Sequence, residues 1–196
     1  MTAKLTLKIQ PDMEPVQLKK DRVIILPEDM NTHLALIYDS PEKGQWRFLH
    51  SRNWYIIYDE PNSTKLRLMI NGELISQCDI VSMGRAETPT ATKLVDFQRD
   101  LKNELKDSFG KFLTATEGKT AKGYRELRVA ISNDSKDMPL VWIYYLLVKT
   151  DGTQAILAFV VRENMLELFN DADRVIVDSL ELLTPLRDAN VKERTK

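Results

Sequence analysis

Few residues in this chain are equipped for chemistry. His33, His50 and Cys78 are its only imidazole and thiol groups. A zinc site draws its ligands from short, recurring spacings, and these three sit in separate predicted strands, so no metal site is expected. Cys78 alternates with Leu74 and Ile80 along one strand face, which reads as a small buried hydrophobe; a nucleophile would need a positioned base. The two histidines have no motif around them and read as surface or packing residues. Gly118-Lys119-Thr120 matches the end of a phosphate loop, but that motif needs its first glycine where Leu113 stands, and the segment joins two predicted strands instead of a strand and a helix. Asp171 and Asp173 open a predicted helix, where carboxylates suit the positive end of the dipole without any acid–base role. Trp142, Tyr144 and Tyr145 would line a ligand cavity only on an open strand face. No catalytic, cofactor-binding or metal residue is assigned, no cofactor is expected, and the residue types identify no binding site.

The stretch 138–162 decides how those aromatics are used. It reads MPLVWIYYLLV, the turn KTDGTQ, then AILAFVV. Two apolar runs of strand length joined through Asp151-Gly152 predict a β-hairpin, because glycine accepts the positive φ of tight turns. Leu140, Trp142, Tyr144 and Leu146 point one way and Val141, Ile143, Tyr145 and Leu147 the other. Both faces are apolar, so the hairpin belongs in the middle of a sheet with layers over it, and its aromatics read as core. The amphipathic helices flanking it in sequence are the expected covers.

In chain order, Leu5, Leu7 and Ile9 alternate with polar residues as a half-buried strand does, and Arg22–Leu26 and His33–Tyr38 follow as strands. Ser40-Pro41-Glu42-Lys43-Gly44 is the best boundary signal. Runs at 45–50 and 53–58 form an expected strand pair. The runs 65–70 and 73–83 flank Asn71-Gly72, a strong two-residue hairpin signal. After a loop at 84–92, Leu94, Phe97, Leu101, Leu105 and Phe109 recur at helical spacing, with Thr92 as the expected cap and Gly110 as the stop. Strands at 112–116 and 124–131 lead across the loop 117–123 into the hairpin. Met165, Leu168, Ala172, Val175, Ile176, Ser179 and Leu183 give a second helix over 164–183, with a break at Asn170-Asp171 where Asn170 would cap a fresh helix. The polar end, 187–196, reads as a frayed tail.

With 196 residues, 43% hydrophobic and 29% charged, the chain can bury one core. A net charge of −1 and a pI near 6.2 supply no global basic field for nucleic acid or an anionic membrane. No apolar run reaches the roughly 18 residues of a membrane span. The first residues, MTAKLTLKIQ, lack the apolar core of a secretory signal, so the chain as written reads as cytoplasmic; a longer exported precursor would change that. The tripeptides beginning at Asn62 and Asn133 fit the glycosylation acceptor, and chance matches of that kind are frequent.

From about Trp46 to Leu183, the strand pair ending in NWYIIYD, the LRLMINGELISQC hairpin, the LVDFQRDLKNELKDSF helix, GYRELRVAI, the central hairpin and the ADRVIVDSLELL helix resemble the PsbP-like fold. That fold is shared by PsbP, a Ran-binding nuclear transport factor and DcrB-like bacterial lipoproteins. The order GYRELRVAI, WIYYLLV, DSLEL is also similar to the C-terminal part of bacterial proteins, some of them exported. The resemblance implies an α+β class, an antiparallel sheet with helices on both faces (an α/β/α sandwich), and it leaves residues 1–43 as a β-rich N-terminal extension, 44–186 as the PsbP-like domain and 187–196 as a disordered tail. Its motifs are of fold type, so no site residue is carried over. It implies a non-catalytic protein-interaction or assembly module with a protein partner; charge and hydropathy add the expectation of no nucleic acid and no membrane insertion. The rival readings are a small-molecule carrier with an apolar cavity between sheet and helix and, behind it, a hydrolase or transferase. With the hairpin buried, binding is expected at the loops 84–92, 117–123 and 132–137 and on the outer helix faces.

Overall fold

A computed structural model describes residues 22–24, 35–39, 46–60, 62–89, 91–133 and 137–183. The expected strand at 4–9, His33 and the tail 187–196 lie outside these. In chain order the elements are β1 (Arg22–Ile24), β2 (Ala35–Asp39), β3 (Trp46–Ser51), β4 (Trp54–Glu60), β5 (Ser63–Ile70), β6 (Glu73–Arg85), α1 (Leu94–Leu105), β7 (Lys111–Lys119), β8 (Arg125–Ser132), β9 (Leu140–Val148), β10 (Thr153–Arg162), α2 (Leu166–Phe169), α3 (Ala172–Ser179) and β11 (Glu181–Leu182). The class is α+β, dominated by antiparallel sheet.

Turn chemistry sets the two best hairpins. Asn71 and Gly72 both take positive φ, 52° and 83°, between the paired residues Ile70 and Glu73, as a two-residue turn matching strand twist requires. In the central hairpin the Lys149 N–H donates to the Thr153 carbonyl and the Gly152 N–H to the Lys149 carbonyl. Gly152 is required twice over: its φ is 89°, and a Cβ there would collide with the Ala86 carbonyl oxygen.

The larger sheet has seven strands in the order β4-β5-β6-β10-β9-β8-β7, so the central hairpin does occupy its middle. The smaller sheet runs β1-β2-β3-β11. The expected pairing of 45–50 with 53–58 is not made: β3 bonds to β2 and β11, while β4 bonds to β5. The indole N–H of Trp46 donates to the Thr64 hydroxyl on β5 at 3.0 Å, so β3 lies against the larger sheet instead of extending it.

Alternate residues of β9 join different cores. Val141, Ile143, Tyr145 and Leu147 pack with Trp46, Phe48, Phe159, Phe169, Ile176 and Val177. Trp142, Tyr144, Leu146 and Val148 pack with Phe97 and Leu101 of α1 and with Leu127, Val129 and Ile131 of β8. Each such side chain contributes about 1.5–3 kcal/mol of transfer free energy when fully buried, and β9 collects it on both sides.

The helices depart from expectation at their ends and in their phase. Lys93, not Thr92, takes the N-cap position of α1, with no side-chain cap bond, and the Thr92 carbonyl is instead taken by Arg125. It stops at Lys106, whose φ of 46° closes the last turn, before Gly110 is reached. Asn170 ends α2 and does not cap α3; both Asn170 and Asp171 adopt the left-handed region, with φ 35° and 57°. Two such residues in succession reset the helical phase. Phe169, Ile176 and Val177 are buried, whereas Leu168 and Val175, expected inward, are 51% and 47% exposed. Ser179 accepts the Leu49 N–H at 2.8 Å and ties α3 to β3.

Candidate functional site

One cluster of interior titratable groups is centred on Tyr145. The β8–β9 register sets Arg128 opposite Tyr145, and the Arg128 Nε–H donates to the phenol oxygen at 2.9 Å. The phenol in turn donates to Asp173 Oδ2, and the other carboxylate oxygen is buried without a hydrogen-bond partner among the described residues. Arg128 also donates to the Thr114 hydroxyl at 3.1 Å. One step along, Arg174 Nη1 reaches both Glu126 oxygens at 2.9 and 3.0 Å while Nη2 holds Asp178 at 2.6 Å. Both guanidinium carbons stand 5.7 Å from the Tyr145 ring centroid, within cation–π range.

This network fixes protons instead of moving them. Burial, reinforced by the Asp173 carboxylate, pushes the Tyr145 phenol well above its ordinary value despite Arg128. It stays protonated at neutral pH and serves as a donor. Desolvation of Arg174 is outweighed by its Glu126 bonds, so its guanidinium is held charged more firmly than usual. Each charged group has an opposite charge or a hydrogen bond to answer it, and the effect is to bolt α3 to β8 and β9. Asp173 therefore does more than suit a helix dipole. The sequence signal for this cluster was the pair Glu126 and Arg128 alternating with Leu127 and Val129 on a strand that is otherwise apolar.

The remaining candidates do not converge. Cys78 is buried, and burial first, then Asp79 and Asp173, pushes its thiol well up, which removes the thiolate that reactivity needs. His50 is buried on β3, with Nδ1 2.9 Å from the Ser51 carbonyl. Among the described residues no group of His, Cys, Asp and Glu is arranged to hold a metal ion. Gly118 and Lys119 end β7, and Thr120 opens the turn into β8, its hydroxyl accepting the Tyr124 N–H. Trp142, Tyr144 and Tyr145 are all buried.

Loops, in contrast, do converge. Arg85 pairs with Thr153, Gln154 with Val148, Val148 with Arg125, and Arg125 with Lys119. That chain of register places the segments 86–93, of which Thr90 lies outside the described residues, 149–152 and 120–124 at one end of the sheet. Two of the three expected loops thus share an end with the tip of the central hairpin, and the third, 132–137, leaves from the opposite end, with 134–136 outside the described residues. The strands run further than expected, β6 taking Gly84 and Arg85, and β7 taking 117–119.

The shared end is tethered. Arg85 Nε donates to the Asp151 carbonyl, and the Ala86 N–H to the Gly152 carbonyl at 2.9 Å. Arg125 bridges the Thr92 carbonyl at 2.8 Å and Glu117 at 2.7 Å, and its hydrogen bond holds the Glu117 carboxyl below the usual range. The Thr153 N–H does the same for Asp151. Arg85, Glu87, Pro89, Thr150 and Asp151 line an open cavity of about 420 Å³ between the first two segments.

No family model matches the chain, and no curated protein matches it by sequence. Solved structures do match it in shape. The Ran-binding protein Mog1p of Saccharomyces cerevisiae superposes with a TM-score of 0.55 at 7% identity over 77% of this chain and 96% of its own. A Bacteroides thetaiotaomicron protein gives 0.52 at 12% identity over 76% of this chain, which spans 48% of that larger protein. LpqN of Mycobacterium tuberculosis, involved in cell envelope biogenesis, gives 0.50 at 11% identity over 84% and 91%. The fold is PsbP-like. At such identities the likeness speaks to the fold alone, and among the described residues no helix is long and apolar enough to cross a membrane.

Proposed function

We propose that this chain is a non-catalytic protein-interaction module: a PsbP-like sandwich, with α1 over one face of the seven-stranded sheet and α2 and α3 over the other, that binds through the tethered loop end. The observation that carries this reading is the convergence of 86–93, 120–124 and 149–152 on one end of the sheet, while the titratable groups around Tyr145 are spent on one another. Loops held by a scaffold can vary in surface without disturbing the core. The Ran-binding yeast neighbour lends support as an analogy of fold. The cavity lies at the sheet's end, open and lined by charged groups, and so does not supply the dry apolar interior a carrier would need.

Residues 44–186 are taken as the PsbP-like unit and 1–43 as an N-terminal extension. β2 hydrogen-bonds to β3 across that boundary, so experiments belong on the full chain; a fragment lacking 1–43 that gave no cooperative thermal transition would refute the division.

The test is steric. Glu87, Ala121 and Thr150 are exposed, one in each segment, and replacing each by Trp is expected to keep stability within about 0.5 kcal/mol of wild type. Proteins captured by the wild-type chain should be lost from all or most of the three variants. Undiminished capture by all three would reject the loop end as the binding surface.

A further inference from the structure

Charge at the loop end is out of step with the rest of the chain. Residues 85–93, 117–125 and 149–152 carry six cationic side chains (Arg85, Lys93, Lys119, Lys122, Arg125, Lys149) against three carboxylates, Glu87, Glu117 and Asp151, with Glu181 a fourth beside Lys122, in a chain whose net charge is −1. The arginines there are committed inward: Arg85 holds the Asp151 carbonyl, and Arg125 holds Thr92 and Glu117. Lys122 meets Glu181 at 2.6 Å and Lys149 meets Asp151 at 3.5 Å. Lys93 and Lys119 are exposed, and their ammonium groups make no ion pair or hydrogen bond among the described residues. They flank Arg125, Lys119 as its partner in the β7–β8 register and Lys93 as the residue after the carbonyl that Arg125 holds.

We propose that this end docks an acidic segment of a partner protein, whose carboxylates are met by Lys93 and Lys119. The proposal rests on the interaction reading above and adds the chemistry of the partner. Two unspent ammonium groups stand on loops already fixed by arginine clamps, so binding has the two lysine side chains to order but not the backbone that carries them. Opposite charge on the partner would speed encounter and set its orientation. A nucleic acid suits the surface less well. Its closely spaced phosphates favour a continuous cationic track, and here Glu87, Glu117 and Asp151 interrupt it. Separate carboxylates on a peptide can be placed to miss them.

The experiment measures binding of a fluorescently labelled peptide of alternating Glu and Ser to the full chain by anisotropy, at low and at physiological ionic strength. Three proteins are compared: wild type, the Lys93→Glu/Lys119→Glu double variant, and Lys111→Glu at the far end of β7. Wild type and Lys111→Glu should bind alike, with affinity falling as salt rises, and the double reversal should weaken binding roughly tenfold or more. Absence of wild-type binding, equal binding by the double variant, or an equal loss in Lys111→Glu would overturn the proposal. Tighter binding of a single-stranded oligonucleotide of matched charge would overturn it too. The Trp variants separate the two failures: if they abolish partner capture while the acidic peptide does not bind, the binding surface stands and the acidic partner falls.

Discussion

From Val141 to Val148 every side chain of β9 is buried, and the strand is held by apolar area on both sides. A few residues further on, the same hairpin ends in a turn held by polar contacts: its own backbone bonds between Lys149, Gly152 and Thr153, the Arg85 bond to Asp151, the Ala86 bond to Gly152 and the Lys149–Asp151 ion pair. The two regions share a chain and a ladder but answer substitution differently. In the strand, removed atoms leave a cavity that packed neighbours cannot fill. At the turn, Gly152 apart, water replaces the side-chain atoms that are removed, so change falls on the surface more than on stability. A fold built this way can alter what it binds with little risk to the scaffold.

Trp142→Ala is the strongest way to break that comparison. Its indole sits with Phe97, Leu101 and Tyr144, and truncation should cost about 3–5 kcal/mol from lost transfer energy and the cavity left behind. Urea unfolding should show a sharply lower midpoint or a lost cooperative transition. A variant that kept its stability and lost a bound small molecule would restore the carrier reading. Tyr145→Phe should have a smaller effect, because it removes one oxygen and no packing. That oxygen accepts from Arg128 and donates to Asp173, whose carboxylate would then be buried with neither oxygen bonded. A loss of about 1–3 kcal/mol is expected. An unchanged unfolding curve would mean that the network does not hold α3 in place.

How much of this was legible depends on whether a feature is local. Asn71-Gly72 and Asp151-Gly152 announce hairpins because the positive φ they need is a property of those residues alone. Leu94, Phe97 and Leu101 announce a helix in the same local way, and the double apolar face of β9 announces a central strand. The phase of α3 was not legible: a single period drawn through 164–183 puts Leu168 and Val175 inward, and two left-handed residues at 170 and 171 turn them out. Nor was the separation of β3 from β4, since the short link between them looks like a hairpin turn until the ladders are seen. The candidate site suffers most. That 86–93 and 120–124 share an end follows from the strand order β6-β10-β9-β8-β7, which no local signal carries, and the meeting of Arg128, Tyr145 and Asp173 needs register and helix phase together.

A finer test lies at the border between the two kinds of interaction, at Asp79. It pairs with Ala158 of the central hairpin and is almost fully buried, yet it carries a carboxyl group with Lys65 Nζ at 3.4 Å. Burial raises its pKa above the ordinary carboxylate value, and Lys65 and then Gln77 only partly offset that. The folded state therefore favours the protonated form. Stability contributed by such a group is fully present below the unfolded pKa and is lost as pH rises through the folded one. Asp79 should thus work against the usual loss of stability in acid. Asp79→Asn has no proton to exchange, while Lys65, partly exposed, keeps its water. The variant should gain on wild type at neutral pH, and the gain should shrink or reverse as pH falls to about 4, near the ordinary carboxylate range. Urea midpoints of the two proteins at both pH values check this. Parallel pH profiles would show that Asp79 keeps the protonation behaviour of the unfolded chain, and that burial beside the hairpin leaves a charged group as free as one at the loop end.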